Sequence, residues 1–240
     1  MFTRTFPSKC TSFMKHKLRY ANYISFKEML KVFGLGAVAL VLGVEWFDWL
    51  MRRLRVRGPL KEVLFFPSTQ TCLEHLFTPN RSFPCKCPLP HGKETSFSRL
   101  LRHLLSAHAS LDLCVFSFSH MELCRMILLL HERGITVRVV TDRDYMTITG
   151  SQIGNLRRAG ICVRHEMSTA VHMHHKFAIV DGKKLITGSL NWTVTAVQSN
   201  KENIIVTEEP ELVRPYRLEF QKLWEANDPA KHTHQVTNGW

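Results

Sequence analysis

The chain has 240 residues, of which 45% are hydrophobic and 22% charged, a composition typical of folded proteins that excludes an intrinsically disordered one. Its formal charge of +12 is concentrated in residues 1–60, which hold 11 Lys and Arg but only three Asp and Glu. The rest of the chain is too mildly basic for charge alone to indicate a nucleic-acid-binding protein. The seven cysteines are odd in number and unevenly spaced, which argues against a disulfide framework and favours a reducing, cytosol-facing environment.

The first 29 residues form a basic tail. Residues 1–29 contain no acidic residue before Glu28, and several serines and threonines lie among the basic ones. This composition is typical of a mitochondrial leader, and a disordered basic tail has the same composition. Both interpretations stay open from the sequence.

An apolar segment follows the tail. Its uncharged core, 32–44, is shorter than the ~20 residues that cross a bilayer, so Glu45 and Asp48 would have to lie at the membrane interface beside two tryptophans. We expect residues 30–51 to form a transmembrane anchor; the alternative is a buried core helix. The basic cluster at 52–57 favours a cytosolic location for the domain that follows.

A Cys- and His-rich insert is predicted at 72–91. The segment has many Pro, Ser and Asn residues and little apolar content, so a hydrophobic core would not hold it. Three thiolates and one imidazole are a ligand set typical of a structural tetrahedral Zn²⁺, one per chain, with no position open for catalysis. His75 is an alternative fourth ligand, and free thiols in an exposed loop are the alternative to a metal site. The predicted ligands are Cys72, Cys85, Cys87 and His91.

Residues 60–228 alternate between buried-strand and amphipathic-helix patterns, and a tail follows at 229–240. Because strand-helix-strand units place their strands parallel, we expect an α/β domain with a mixed, mainly parallel sheet flanked by helices. Strands are predicted at 62–67, 111–118, 135–141, 161–163, 177–180, 185–189 and 203–206, and helices at 97–109, 121–133, 150–159 and 210–226.

The most informative stretch begins just before the predicted strand 177–180. The period of two in extended chain puts His174 and Lys176 on the same side, so an imidazole and an ammonium point into one volume. The imidazole is suited to nucleophilic attack on a phosphodiester, which would give a covalent phosphohistidine. Lys176 and the amide of Asn191 would hold the non-bridging oxygens, and no catalytic metal is required.

The spacing His-x-Lys, four residues, Asp, six residues, Gly-Ser-x-Asn resembles the signature of the phospholipase D superfamily. The resemblance implies a phospholipase D-like fold and a carboxylate downstream that hydrogen-bonds the nucleophilic imidazole, a position that Glu202 fills. Asp181 belongs to the signature, but Asp-Gly after a strand is also an ordinary turn, and we expect its role to be mainly positional. The implied site residues are His174, Lys176, Asp181, Asn191 and Glu202 for catalysis and Ser189 for substrate binding.

Only one copy of the signature occurs in the chain. Single-copy members of the superfamily pair two identical chains across a two-fold axis. We therefore expect a homodimer that brings two copies of His174 together, one as nucleophile and one as general acid for the leaving group.

The anchor, the Cys- and His-rich insert and the runs Val-Val-Thr-Asp-Arg-Asp-Tyr-Met and Gly-Ser-Gln-Ile-Gly resemble mitochondrial members of the superfamily. That resemblance implies a protein of the mitochondrial outer membrane, anchored at its N-terminus with the catalytic domain facing the cytosol. It also implies two activities, cleavage of single-stranded RNA (piRNA precursors) and hydrolysis of cardiolipin to phosphatidate. A non-catalytic mitochondrial scaffold is the alternative from another functional class.

Basic and aromatic residues near the signature favour RNA over lipid. Single-stranded RNA needs a basic groove with stacking surfaces, whereas a lipid needs an apolar entry for its acyl chains, and no apolar stripe is evident. A solvated basic face is the alternative interpretation. The residues are Arg143, Arg157, Arg158, Arg164, Lys183, Lys184 and Lys201, with Tyr145 and Trp192 as aromatic candidates.

Overall fold

The computed structural model describes residues 28, 30–31, 40–51, 58–78 and 85–232. The predicted basic tail before Glu28, residues 32–39 of the predicted anchor and the C-terminal residues 233–240 lie outside this part of the chain. The chain divides into two compact units, 1–58 and 59–240.

In the first unit, residues 40–51 are helical. In the portion of the chain just defined, no helix combines the length and the apolar character needed to span a bilayer. The anchor at 30–51 stays a prediction, since part of it lies outside the described residues.

The second unit is built from strands and helices that alternate along most of its length. The strands are β1 (Lys61–Phe66), β2 (Ser110–Val115), β3 (Thr136–Thr141), β4 (Cys162–His165), β5 (Lys176–Val180), β6 (Lys184–Gly188) and β7 (Glu202–Thr207). The helices are α1 (Glu74–Phe77), α2 (Ser96–Leu105), α3 (Met121–Glu132), α4 (Ile153–Arg158), α5 (Val194–Gln198), α6 (Pro210–Ala226) and α7 (Pro229–His232).

The seven strands form one sheet in the order β1-β7-β6-β5-β2-β3-β4. A mixed sheet flanked by helices is confirmed, but the expectation that it is mainly parallel was wrong. Only the β2-β3 and β3-β4 pairs are parallel, and the other four pairs are antiparallel. For β5 and β6 the reason is connection length: the link between them is a short turn, whereas a parallel crossover needs a dozen or more residues.

Helices cover both faces of the sheet. On one face α2, α3 and α4 bury a large apolar cluster, and α2 shows the expected helical spacing, with Phe97, Leu100, Leu101 and Leu104 all buried. A capping box between Thr95 and Ser98 begins this helix. On the other face α6 packs Val213 and Phe220 against strands β2, β3, β5 and β6. The core is therefore divided between two layers, one on each face of the sheet.

Three short helices, α1, α5 and α7, were absent from the sequence-based expectation. Helix α1 lies inside the predicted zinc insert, and its Phe77 is 5% exposed and belongs to the main core. The insert is thus partly held by apolar packing, contrary to the expectation that no core would hold it. Helix α5 begins at the N-cap Thr193, whose side chain accepts a hydrogen bond from the amide of Ala196.

The strand directions gather many loops at one edge of the sheet. Strands β2, β3 and β4 end at this edge, and because β5 runs antiparallel to β2, β5 begins there. By the same reasoning β6 ends there, β7 begins there and β1 ends there. The residues that flank the signature therefore come together at one edge, which we call the site edge.

Candidate active site

His174 and Lys176 lie together at the site edge, at the beginning of β5. The Nζ atom of Lys176 is 3.2 Å from Nδ1 of His174 and donates a hydrogen bond of 2.8 Å to its backbone carbonyl. A cavity of about 400 Å³ opens beside the pair, lined by residues of β5 and β6 and by Tyr216 of α6. The period-two expectation for these two side chains agrees with this geometry.

The ring of Phe116, which follows β2, forms the floor under the pair. Its centroid lies 4.3 Å from the His174 ring and 5.1 Å from the Lys176 ammonium. Partial desolvation lowers the pKa of His174 below its ordinary value, and the charge of Lys176 lowers it further. A lowered pKa keeps the imidazole neutral near pH 7, the form that acts as a nucleophile.

The Gly-Ser-x-Asn part of the signature begins at the last residue of β6 and lies at the same edge. Ser189 donates its hydroxyl proton to Glu202 at the start of β7, and Asn200 donates to the other carboxylate oxygen at 3.1 Å. Ser189 and Asn200 are therefore the described side-chain partners of the Glu202 carboxylate. A hydrogen bond between Glu202 and His174 remains a prediction. The Oδ1 atom of Asn191 is buried and has no hydrogen-bond partner within the described chain.

Asp181 lies at the opposite edge of the sheet from His174. The five residues of β5 lie between the two, and they span about 16 Å along the strand. It has a positive φ of 52°, and its carboxylate accepts hydrogen bonds from the amides of His108, Ala109 and Ser110 at 2.8–3.1 Å. Desolvation raises the pKa of Asp181, but these amides outweigh it and hold the pKa below the ordinary value. The structure agrees with a positional role.

Sequence reasoning missed a carboxylate at this site. Asp142 directly follows β3, is 2% exposed, and accepts hydrogen bonds from the amides of Asp144, Tyr145 and Met173. His172 also binds it, with Nδ1 3.0 Å from Oδ2. Asp142, Asp144 and His172 offer atoms within 4.8 Å of one another, but these hydrogen bonds already account for the arrangement without a cation. An acidic residue at the end of a buried strand was the available signal.

Only some of the predicted basic residues lie at the site edge. Arg143 and Arg157 are near His165 at the end of β4, where both charges lower its pKa after the larger effect of burial. Lys201 is exposed just before β7. Lys183 and Lys184 lie at the opposite edge, beside Asp181.

Three of the other predicted residues have structural roles. Arg164 lies 4.1 Å above the ring of Trp224 and pairs with Asp228 at 3.2 Å, while Arg158 donates a hydrogen bond to Asn155. Trp192 is 4% exposed and packs against Phe118, so its ring is unavailable to a substrate. Tyr145, 37% exposed and 3.9 Å from the Phe116 ring, is available for stacking.

The predicted zinc ligands converge in the second unit. Cys72, Cys85, Cys87 and His91 place their ligand atoms within 4.8 Å of one another, and the Cys87 sulfur is 3.7 Å from Nε2 of His91. Ligands around a tetrahedral Zn²⁺ lie about 3.5 Å apart, so this set fits the ion. His75 is not part of the cluster. Hydrogen bonding from His91 lowers the pKa of Cys85 to about 6, while burial raises that of Cys72 to about 11.

An imidazole paired with an ammonium at the edge of such a sheet is an arrangement suited to a phosphodiesterase site. Residues 100–224 match the profile of the family described as "Cardiolipin synthase, PLD-like domain". The chain therefore belongs to the phospholipase D superfamily and is one of its phosphodiesterases, as the spacing of the signature predicted.

Similar proteins are found in several vertebrates. The chain is 75% identical over 217 residues to a mitochondrial cardiolipin hydrolase of Danio rerio, covering 90% of this chain and 96% of that protein. It is 53% identical to the mitochondrial cardiolipin hydrolase of Homo sapiens, with 85% and 83% covered. The crystal structure of Nuc from Salmonella typhimurium, a phospholipase D family member, shares the fold with a TM-score of 0.56 at 22% identity, over 71% of this chain and 97% of that one.

Proposed function

We propose that His174 attacks the phosphorus of a phosphodiester and forms a phosphohistidine that water then hydrolyses. The observation that carries this proposal is the 3.2 Å approach of the Lys176 ammonium to the exposed ring of His174. The ammonium would stabilise the negative charge that grows on the non-bridging oxygens in the transition state. The lowered pKa of His174 supports a neutral nucleophile at the pH of the cell.

The proposed enzyme is a homodimer. Protonation of the leaving oxygen needs a second acid opposite the nucleophile, and in a symmetric dimer His174 of the partner subunit would supply it. The unpaired Oδ1 of Asn191 is consistent with a site that is incomplete in one chain, because buried polar atoms normally have a partner.

Single-stranded RNA, such as a piRNA precursor, is our first substrate. Arg143, Arg157 and Lys201 add positive charge along the site edge, and Tyr145 offers an aromatic surface for a base. Basic groups with an exposed ring are the combination that binds single strands with little sequence preference.

Cardiolipin is the second substrate that we propose, because similar proteins are named for its hydrolysis. Proteins 75% and 53% identical to this chain are called mitochondrial cardiolipin hydrolases. Hydrolysis to phosphatidate breaks the same kind of bond as RNA cleavage, so one site would serve both substrates.

Side-by-side assays of His174→Asn and the wild-type chain test the reaction. Wild type is expected to cleave single-stranded RNA or cardiolipin vesicles with EDTA present, and to carry a phosphate label that is stable to alkali and released by acid. His174→Asn is expected to lose both the activity and the label. His108→Asn, a change to an exposed histidine at the opposite edge, is the matched control. Equal cleavage by wild type and His174→Asn would rule out His174 as the nucleophile, and absence of cleavage by the wild type would leave the scaffold as the better interpretation.

We also propose that Cys72, Cys85, Cys87 and His91 hold one structural Zn²⁺ per chain. Such an ion would tie α1 and the preceding strand to the far end of the insert, and with four protein ligands it would have no catalytic role. Metal analysis is expected to give one zinc per chain for wild type and none for the double variant Cys85→Ser/Cys87→Ser, with a lower Tm. Wild-type protein free of zinc at full stability would contradict the assignment.

The proposed location is the mitochondrial outer membrane, with residues 30–51 as a single N-terminal anchor and the catalytic domain in the cytosol. Support comes from the apolar run with flanking tryptophans and from the naming of the relatives. In intact mitochondria, protease added outside is expected to remove the catalytic domain, and alkaline carbonate is expected to leave the anchor in the membrane.

A further inference from the structure

His172 is a second histidine in the active-site region, and the reaction proposed above gives it no role. Its ring is bound through Nδ1 to the buried carboxylate of Asp142, while the side chain remains 58% exposed. The hydrogen bond to the buried carboxylate fixes the orientation of the ring. Because the rest of the side chain is exposed, the ring is accessible from the site edge.

The hydrogen bond to Asp142 decides which ring nitrogen carries the proton. Burial raises the pKa of Asp142, but hydrogen bonds from the Tyr145 amide and from His172 outweigh burial and hold the pKa below the ordinary value, so the carboxyl is ionised. An ionised carboxylate only accepts hydrogen bonds, so Nδ1 of His172 is the donor. In the neutral ring Nε2 then carries a lone pair and accepts a hydrogen bond from a ligand.

His172 is also close to the proposed nucleophile. The rings of His172 and His174 lie 6.1 Å and 4.3 Å from the centroid of Phe116, so both imidazoles flank one aromatic floor. A protonated His172 would lower the pKa of His174, which agrees with their proximity. When the phosphorus of a substrate is in contact with His174, the substrate groups next to that phosphorus would therefore lie beside His172.

The group that His172 fits is a hydroxyl. A lone pair on Nε2 repels the oxygens of a phosphodiester, and the negative charge of Asp142 behind the ring adds to that repulsion, whereas a hydroxyl donates a proton to the lone pair. Both substrate candidates carry a hydroxyl on the carbon next to the one that bears the scissile phosphodiester. In RNA it is the ribose 2′-hydroxyl, and in cardiolipin it is the free hydroxyl of the central glycerol.

We propose that His172, oriented by Asp142, accepts a hydrogen bond from the hydroxyl vicinal to the scissile phosphodiester and so selects substrates that carry it. This inference rests on the proposed attack by His174. It assigns His172 to substrate binding and Asp142 to positioning.

The test compares the full chain with three variants on substrates matched except for this hydroxyl. One pair is a single-stranded oligonucleotide with ribose or with 2′-deoxyribose throughout; the other is cardiolipin vesicles or vesicles of the analogue that lacks the central hydroxyl. His172→Phe keeps a ring but removes the acceptor, and His172→Gln keeps an acceptor. His108→Phe is the control at the opposite edge.

Wild type is expected to prefer the hydroxyl-bearing member of a pair by roughly tenfold in initial rate, the size of one hydrogen bond. The ratio should fall to near one in His172→Phe, recover in part in His172→Gln and stay at the wild-type value in His108→Phe. If the ratio in His172→Phe falls to near one for the RNA pair alone, the hydroxyl is that of ribose. If it falls for the cardiolipin pair alone, the hydroxyl is that of the central glycerol. Either result supports the proposal.

An unchanged ratio in His172→Phe for both pairs overturns it, even if the rates themselves fall, because a purely structural defect slows both members of a pair alike. Absence of cleavage of every substrate by the wild-type chain is a different result. That outcome contradicts the proposed function and this inference together.

Discussion

At the scale of single residues, the chemistry depends on how neighbours change the protonation of His174. Desolvation lowers its pKa first, and the positive charge of Lys176 lowers it further, because it disfavours a second cation nearby. The neutral nucleophile therefore persists at pH values below the ordinary 6.5, and activity should be lost only as the pH falls through the lowered value.

Replacing Lys176 by Met is expected to raise the pKa of His174, since the change removes the largest electrostatic cause of the shift. NMR titration of the ring protons measures this directly, with His174→Gln used to assign the resonance. The readout does not depend on turnover, which the same substitution should abolish. A titration midpoint in Lys176→Met that is equal to or below that of wild type would show that the ammonium does not act on this ring.

At the scale of elements, the contact between β6 and β7 places the second half of the signature. Gly188 pairs with Ile204, and a Cβ atom on Gly188 would lie 2.1 Å from the backbone oxygen of Asn203. Only glycine permits this approach, which in turn brings Ser189 to Glu202.

Gly188→Ala is expected to force the two strands apart, at a cost of about 1–3 kcal/mol in the free energy of unfolding. Because Ser189 and Asn191 move with β6, cleavage should fall at least about tenfold. Chemical denaturation and initial rates measure the two effects. The matched control is Gly154→Ala in α4, where the added Cβ meets only the flexible side chain of Arg158 at 3.4 Å and should not destabilise the helix. Equal stability of the two variants would rule out the close approach.

At the scale of the whole molecule, an active site built from His174 of both subunits predicts that activity is not proportional to the amount of wild-type chain when wild-type and mutant chains are mixed. When wild-type and His174→Asn chains exchange at equal amounts, about a quarter of the dimers contain two intact chains. Activity per wild-type chain should then fall to about half. Two affinity tags allow the mixed dimers to be isolated and assayed, and sedimentation velocity gives the mass. Full activity in mixed dimers, or a monomeric wild-type enzyme, would contradict a shared site.

The sequence by itself determined the main elements and the central pair of the site. Period-two and helical patterns located seven strands and the four longer helices, because burial of one face repeats locally along the chain. The spacing of His174 and Lys176 predicted their proximity for a similar reason, since side chains two residues apart in an extended chain point to the same side.

The direction of strand pairing and the surroundings of His174 were decided only by the tertiary structure. Sequence patterns mark which residues are buried but not which strand they pair with, so four antiparallel pairs were mistaken for a mainly parallel sheet. Phe116 and Asp142 reach the site from strands distant in sequence, and Trp192 and Arg164 are withdrawn from it by packing. Local periodicity carries no information about such long-range contacts, because they depend on how the whole sheet is ordered.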